Sequence, residues 1–195
     1  MKNKLLILVS GSVLAVAACA KHDNANSTMS SDTNMSMDNS ADMNAGMNAT
    51  AEAGPMTAQA LANAAAASDK FEIETSKLAS AQASSAAVKS FAAKMISAHT
   101  ASTAKLKSTA SGMSPAMTPD DSLSAEQQST LDGLKTKKGA DFDSAYAAAQ
   151  VEGHQKALDA LKNYAASGDN ATLKTFANGL IPTVTAHLNM AKGLK

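Results

Sequence analysis

Residues 86–110 read AAVKSFAAKMISAHTASTAKLKSTA, and this stretch decides the fold class. Val88, Phe91, Ala92, Met95, His99, Ser102 and Leu106 return at steps of three and four, the spacing that lines one face of an α-helix; a strand would alternate every second residue. Alanine fills much of the remainder, and alanine is the strongest helix former while filling little of a sheet core. His99 falls in line with the apolar positions.

The same period runs outward in both directions. Leu61, Ala64, Ser68, Phe71, Thr75 and Leu78 predict a helix over 58–82, with Glu72 at the border of its apolar stripe. Downstream, Gly112, Pro115 and Pro119 set a loop. Ser124-Ala125-Glu126-Gln127 then reads as a capping box opening a short helix with Leu131 and Leu134, which ends near Gly139. Asp141 is a candidate cap for a helix over 142–166, whose inner face is Phe142, Tyr146, Gln150, His154, Ala157, Leu161 and Tyr164. Gly168 suits a left-handed helix end and Asp169 the next N-cap. The last helix, 170–192, carries Leu173, Phe176, Leu180, Val184, His187, Leu188 and Ala191, and Gly179 and Pro182 should kink it. The fold class is all-α, a four-helix bundle over 57–195 with one short extra helix.

Composition narrows the function. Seventeen lysines balance seventeen acids, and arginine is absent. Phosphate and base-edge readout lean on arginine forks and basic patches, so nucleic acid is not an expected partner. One cysteine in 195 residues excludes an internal disulfide framework and a Cys-rich zinc module.

That cysteine has another use. Lys2 and Lys4 precede the apolar run Leu5 to Val9, and a small-residue stretch ends Val16-Ala17-Ala18-Cys19. A charged start, a short apolar middle and small residues before the cut make an export signal over 1–18. Val-Ala-Ala-Cys resembles the bacterial lipobox, in which the cysteine carries a diacylglycerol thioether and becomes an acylated N-terminus. Several acyl chains, at about 0.8 kcal/mol per buried CH₂, anchor a protein durably without spanning the membrane. Ala20 follows the cysteine, and the lipobox resemblance implies that a lipoprotein without aspartate there is sorted, in a Gram-negative cell, to the outer membrane, facing the periplasm.

Residues 20–56 hold Asn, Ser, Asp, Ala, Gly and Met with no aromatic or branched aliphatic residue, a composition that cannot offset chain entropy by burial. With Cys19 they read as a tether whose flexible reach is roughly 35 Å. Six methionines lie there, Met29, Met35, Met37, Met43, Met47 and Met56, beside His22. Soft thioethers suit Cu(I), so the tether reads either as a copper scavenger or as an inert, oxidisable spacer of drifting composition.

Within the helical part there are three histidines, His99, His154 and His187, one on each of three long helices, and the remaining long helix offers Glu72. One ligand from each of four helices is how bundles build a metal centre, and three imidazoles with a carboxylate suit a single Zn, Cu, Fe or Mn ion. The alternative is three hydrogen-bonded structural histidines, satisfied by groups such as Gln150, Tyr146 and Thr183. A di-iron centre requires Glu three residues before a histidine, whereas Ile96 and Val151 occupy those positions. No nucleophile elbow, His-Glu-x-x-His, phosphate loop or dinucleotide fingerprint is present, so no catalytic residue is assigned.

Several of these residues carry a family resemblance. Phe71-Glu72-Ile73, Lys77-Leu78-Ala79, Val88-Lys89-Ser90-Phe91-Ala92, Met95 and His99 resemble the first half of the bacterial domain of unknown function 4142. Phe142-Asp143, Tyr146, His154-Gln155-Lys156-Ala157, Leu173-Lys174, Phe176-Ala177, Pro182 and His187-Leu188 resemble its second half. The resemblance implies a ferritin-like bundle in an exported outer-membrane or periplasmic protein, brings no known reaction, and marks Glu72, His99, His154 and His187 as recurring polar positions. This chain has Ala98 and Gly153 where that family often carries an acid before the second-helix and fourth-helix histidines.

The leading expectation is thus a non-enzymatic, lipid-anchored envelope bundle with one transition-metal site. Its rivals are a ferritin-like metal-dependent enzyme or metal store, and an interaction module whose alanine-rich faces dock an envelope protein or a second copy of the chain.

Overall fold

The computed structural model describes residues 55–194. The expected signal peptide (1–18), Cys19 and the tether up to residue 54 lie outside the described residues. Five helices follow: α1 (Ala58–Gln82), α2 (Ala86–Ser111), α3 (Ala125–Lys135), α4 (Gly139–Ser167) and α5 (Ala171–Lys192).

Four of the five helices start on a side-chain cap. Thr57, Ser85, Ser124 and Asn170 each accept from a backbone N–H of the first turn, and Ser124 and Gln127 form the expected reciprocal box. The exception is α4. It begins at Gly139, three residues before the expected start, and Lys138 caps it without a side-chain bond, so Asp141 sits within the first turn. There its charge faces the positive end of the helix dipole. Gly139 has φ 62°, a left-handed turn that glycine adopts without a Cβ penalty.

The junction between α4 and α5 also departs from expectation. Gly168 is extended, with φ −60° and ψ 153°, and Asn170 rather than Asp169 caps α5. Space explains the glycine: a Cβ there would meet the Tyr164 ring at 2.5 Å. Asp169 instead accepts a 2.8 Å bond from the Tyr164 hydroxyl, whose pKa burial and this carboxylate push up to about 12. Helix α5 runs through Pro182 as one element, although proline leaves the Asn178 carbonyl without its usual helical donor.

Short turns fold α1 against α2 and α4 against α5, and the two hairpins face one another through α1 on α4 and α2 on α5. The three-residue turn at 83–85 is held by Asp143 of α4, a buried carboxylate that accepts from Ser84 N and Oγ and from Ser85 N. Helix α3 lies against α1 and α4, and Gln82 of α1 donates to its C-terminal carbonyls of Leu134 and Lys135.

Two apolar clusters fill the interior. One gathers Phe71, Val88, Phe91, Met95, Leu131, Leu134, Phe142 and Tyr146; the other gathers Leu61, Leu106, Leu158, Leu161, Tyr164, Leu173, Phe176 and Leu188. Each large side chain removed from water in this way contributes about 1.5–3 kcal/mol. Met56, assigned by sequence to the tether, packs partly buried against the second cluster. The buried face of α1 is rotated from the expected stripe: Ala64 is exposed, and Asp69, Glu72, Thr75 and Ser76 are buried. Apolar periodicity cannot find a face built from polar residues. Among the described residues, no helix is long and apolar enough to cross a membrane.

Candidate metal centre

The polar residues that rotate α1 belong to a layer contributed by four helices. Asp69 and Glu72 come from α1, His99 from α2, Gln150 and His154 from α4, and His187 from α5, and all are buried. Burial of this many ionisable groups is costly unless each finds a partner.

The three histidines converge. Ring centroids are 5.6 Å apart for His99 and His154, 5.6 Å for His99 and His187, and 5.4 Å for His154 and His187. One ring nitrogen from each lies within 4.8 Å of the other two. Nitrogens around a tetrahedral ion at 2.0–2.1 Å stand about 3.4 Å apart, so the rings need to draw in by little more than 1 Å.

Two of the outward nitrogens are already held. His99 Nδ1 lies 2.8 Å from Asp69 Oδ1, and Asp69 Oδ2 accepts a 3.2 Å bond from the Thr103 hydroxyl. His154 Nδ1 lies 2.8 Å from the Gln150 carbonyl oxygen. A carbonyl only accepts, so His154 Nδ1 carries the proton and, in the neutral ring, Nε2 the lone pair; opposite the Asp69 carboxylate, His99 Nδ1 likewise carries a proton. His99 Nε2, His154 Nε2 and His187 Nδ1 are all buried without a partner. Native proteins rarely leave one such atom, and here three occur within one layer.

Glu72 stands beside this trio. Its Oε1 is 3.6 Å from His154 Nδ1, on the side of the ring that faces Gln150, and its Oε2 has no partner. The structure therefore brings three of the four expected ligands into one cluster and places the fourth against the back of one of them. Of the other groups considered for the histidines, Gln150 serves through its backbone, Tyr146 is paired to Ser76 Oγ at 2.7 Å, and Thr183 is exposed.

The electrostatics of two of the three rings suit ligation. Burial pushes His154 down to about 4, reinforced by His99 and His187 and opposed by the Gln150 carbonyl. Burial followed by the His99 charge pushes His187 down to about 4. Both rings are thus neutral at physiological pH, the form in which imidazole binds metals. Burial also opposes charge on His99, but the Asp69 hydrogen bond and the negative charges of Glu72 and Asp69 outweigh it and raise its pKa. Burial raises Glu72 to about 7, with Asp69 adding to it and His99 and Gln150 opposing.

Asp69 escapes a reading based on apolar spacing. The available signal is the pair Asp69-x-x-Glu72, two acids one turn apart on α1, matched by Thr103 one turn beyond His99 on α2. Gly153 was legible as a sequence departure but not as a contact. A Cβ there would lie 3.0 Å from Glu72 Oε1, so glycine lets the α1 carboxylate approach α4. Gly153→Ala should weaken metal binding several-fold by displacing Glu72, while the metal-free protein keeps its stability or gains up to about 1 kcal/mol of helix propensity. Parallel metal titration and thermal melting check both halves.

No curated protein matches the chain in sequence. Solved structures do match in shape. CopM in its Cu(II)-bound form aligns with TM-score 0.59 at 16% identity, over 70% of this chain and 94% of that one. CopM in its Cu(I)-bound form gives TM-score 0.59 at 18% identity over 70% and 94%, and the Ag-bound form 0.57 at 16% over 70% and 93%. At these identities the likeness establishes a shared helical-bundle fold. The model of a domain of unknown function, DUF4142, matches residues 19–194, nearly the whole sequence, and the chain belongs to that family.

Proposed function

We propose that this protein is an envelope metal-binding bundle that holds one transition-metal ion between His99, His154 and His187, with Glu72 beside them. The observation that carries this reading is the set of three buried, unpartnered ring nitrogens supplied by three separate helices. An ion gives each of them the partner it lacks, and the hydrogen bonds at the far side of His99 and His154 orient those rings for it. Copper- and silver-bound forms of CopM offer a precedent for a bundle of this shape hosting such ions.

The site is buried, and three neutral imidazoles suit Zn or Cu(II) better than they suit Mg or Ca. Buffering or delivery of an ion fits this enclosure better than turnover of a substrate. Full-length protein stripped with a chelator should take up one equivalent of Zn(II) or Cu(II), read by elemental analysis after gel filtration. Ring resonances of His99, His154 and His187 should shift together on loading. Uptake that leaves those resonances unmoved would overturn the reading.

Envelope placement rests on Lys2, Lys4, the apolar run and Cys19. Cys19→Ser should move the protein from the membrane fraction to the soluble one and abolish labelling by a radioactive fatty acid. Retention of label by the variant would remove the lipid anchor from the proposal.

A further inference from the structure

Two carboxylates are buried in the histidine layer, and no lysine is buried anywhere among the described residues. Asp69 is 5% exposed and Glu72 1%, and their nearby basic partners are the imidazoles of the cluster. The third buried acid, Asp143, is committed to the turn at 83–85. With an ion bound by neutral imidazoles and both carboxylates ionised beside it, the layer would hold two negative charges. A doubly charged ion cancels them, whereas a singly charged one leaves a net negative charge in a region that solvates charge poorly.

We propose that Asp69 and Glu72 together make the histidine cluster selective for doubly charged ions over singly charged ones, with Asp69 acting as a positioning and charge-balancing residue behind His99. This rests on the metal-binding reading above and adds the charge class of the ion. The donor set agrees with it. Met95, the fully buried methionine among the described residues, belongs to the apolar cluster with Phe91 and Tyr146, so the identified donors are nitrogen and oxygen rather than the soft sulfur that favours Cu(I) or Ag(I).

The charge rule has a quantitative signature. Removing one negative charge at fixed distance weakens attraction to a divalent ion twice as much in free energy as to a monovalent ion, so the fold-loss for the first is the square of that for the second. Asp69→Asn retains an oxygen that can accept from His99 Nδ1 and removes the charge, at the cost of the acceptor for the Thr103 hydroxyl. Glu72→Gln is the independent second variant.

The test uses isotope-labelled full-length protein, with Zn(II) and Ag(I) titrated separately and binding read only at the ring resonances of His99, His154 and His187, which Ag(I) held by tether methionines would not move. Each substitution should weaken Zn(II) binding about ten- to a hundredfold and Ag(I) binding about three- to tenfold. The Zn(II)-to-Ag(I) affinity ratio should fall with each charge removed, and further in the double variant. Equal losses for the two ions would overturn the proposal and leave the carboxylates as orienting groups only. Unmoved ring resonances with both ions in the unmodified protein would overturn the metal site itself, and the charge rule with it.

Discussion

His154→Ala should lower affinity for Zn(II) or Cu(II) at least a hundredfold and cut the rise in Tm that the ion produces to about a third or less. His154 is the best-held ligand of the trio: its side chain is 1% exposed, its Nδ1 is anchored on the Gln150 carbonyl, and its ring lies near both His99 and His187. An ion that binds only the folded state stabilises it by about 4 kcal/mol at a thousandfold excess over Kd. A hundredfold loss of affinity cuts that gain at the same ion concentration to about 1.4 kcal/mol, and a larger loss cuts it further. The metal-free variant loses ring packing, including the edge contact with Phe91 at 6.4 Å, but also loses a buried unpartnered nitrogen, so its own destabilisation should be modest, about 1–2 kcal/mol. Calorimetric titration combined with melting in chelator and in Zn(II) separates the two effects; a full equivalent of tightly bound ion in the variant would sink the prediction.

Glu72→Gln should do the opposite to the metal-free protein and make it more stable at pH 8. The carboxyl of Glu72 ionises near 4.5 when free and near 7 in the fold, because burial penalises the charged form. Between those values the native state holds a proton that the unfolded chain has released, so stability falls as pH rises through the window, and the loss is complete above it. Glutamine has no such charge to bury. The gain at pH 8 should be on the order of 2 kcal/mol, which is roughly 4–8 °C in Tm, and should vanish by pH 4.5, where both side chains are neutral. His154 and His187 act in the other direction: their depressed values mean that stability is lost as pH falls from 6.5 towards 4. That loss is shared by the unmodified protein and the variant and cancels in the comparison. Loading with Zn(II) should reverse the order, since the variant lacks a balancing charge. A variant equal to the unmodified protein at both pH values in chelator would contradict the burial penalty.

Both results describe a protein that spends stability on a polar layer, and this explains which parts of the molecule could be read from sequence. Helix α2 was legible almost residue by residue, because Val88, Phe91, Ala92, Met95, His99 and Leu106 are all buried and all but His99 are apolar. Helix α1 was misread in rotation, because Asp69, Glu72, Thr75 and Ser76 carry its buried face and look like surface residues to a hydrophobic pattern. Glu72 consequently moved from the border of the stripe to its centre. The three histidines were legible as one per helix, but their approach to 5.4–5.6 Å depends on helix rotation and axial register, which short-range spacing does not contain. The anchor for His99 was further from view, because the Asp69 contact spans thirty residues and two helices. Glycines were misread where space rather than backbone preference ruled: Gly168, at the end of α4, makes room for the Tyr164 ring, and Gly153, in its middle, makes room for Glu72.

The contribution of α5 has a consequence for how the cargo is let go. His187 sits five residues from the end of that helix, the last described one, while the other two rings come from α2 and α4. A protease nick in the 168–170 connector, or fraying of the C-terminus by two turns, would remove one claw of three while leaving the remaining helices to hold one another. Discharge of the ion would then precede collapse of the scaffold, and the closing turns of α5 would serve as its latch.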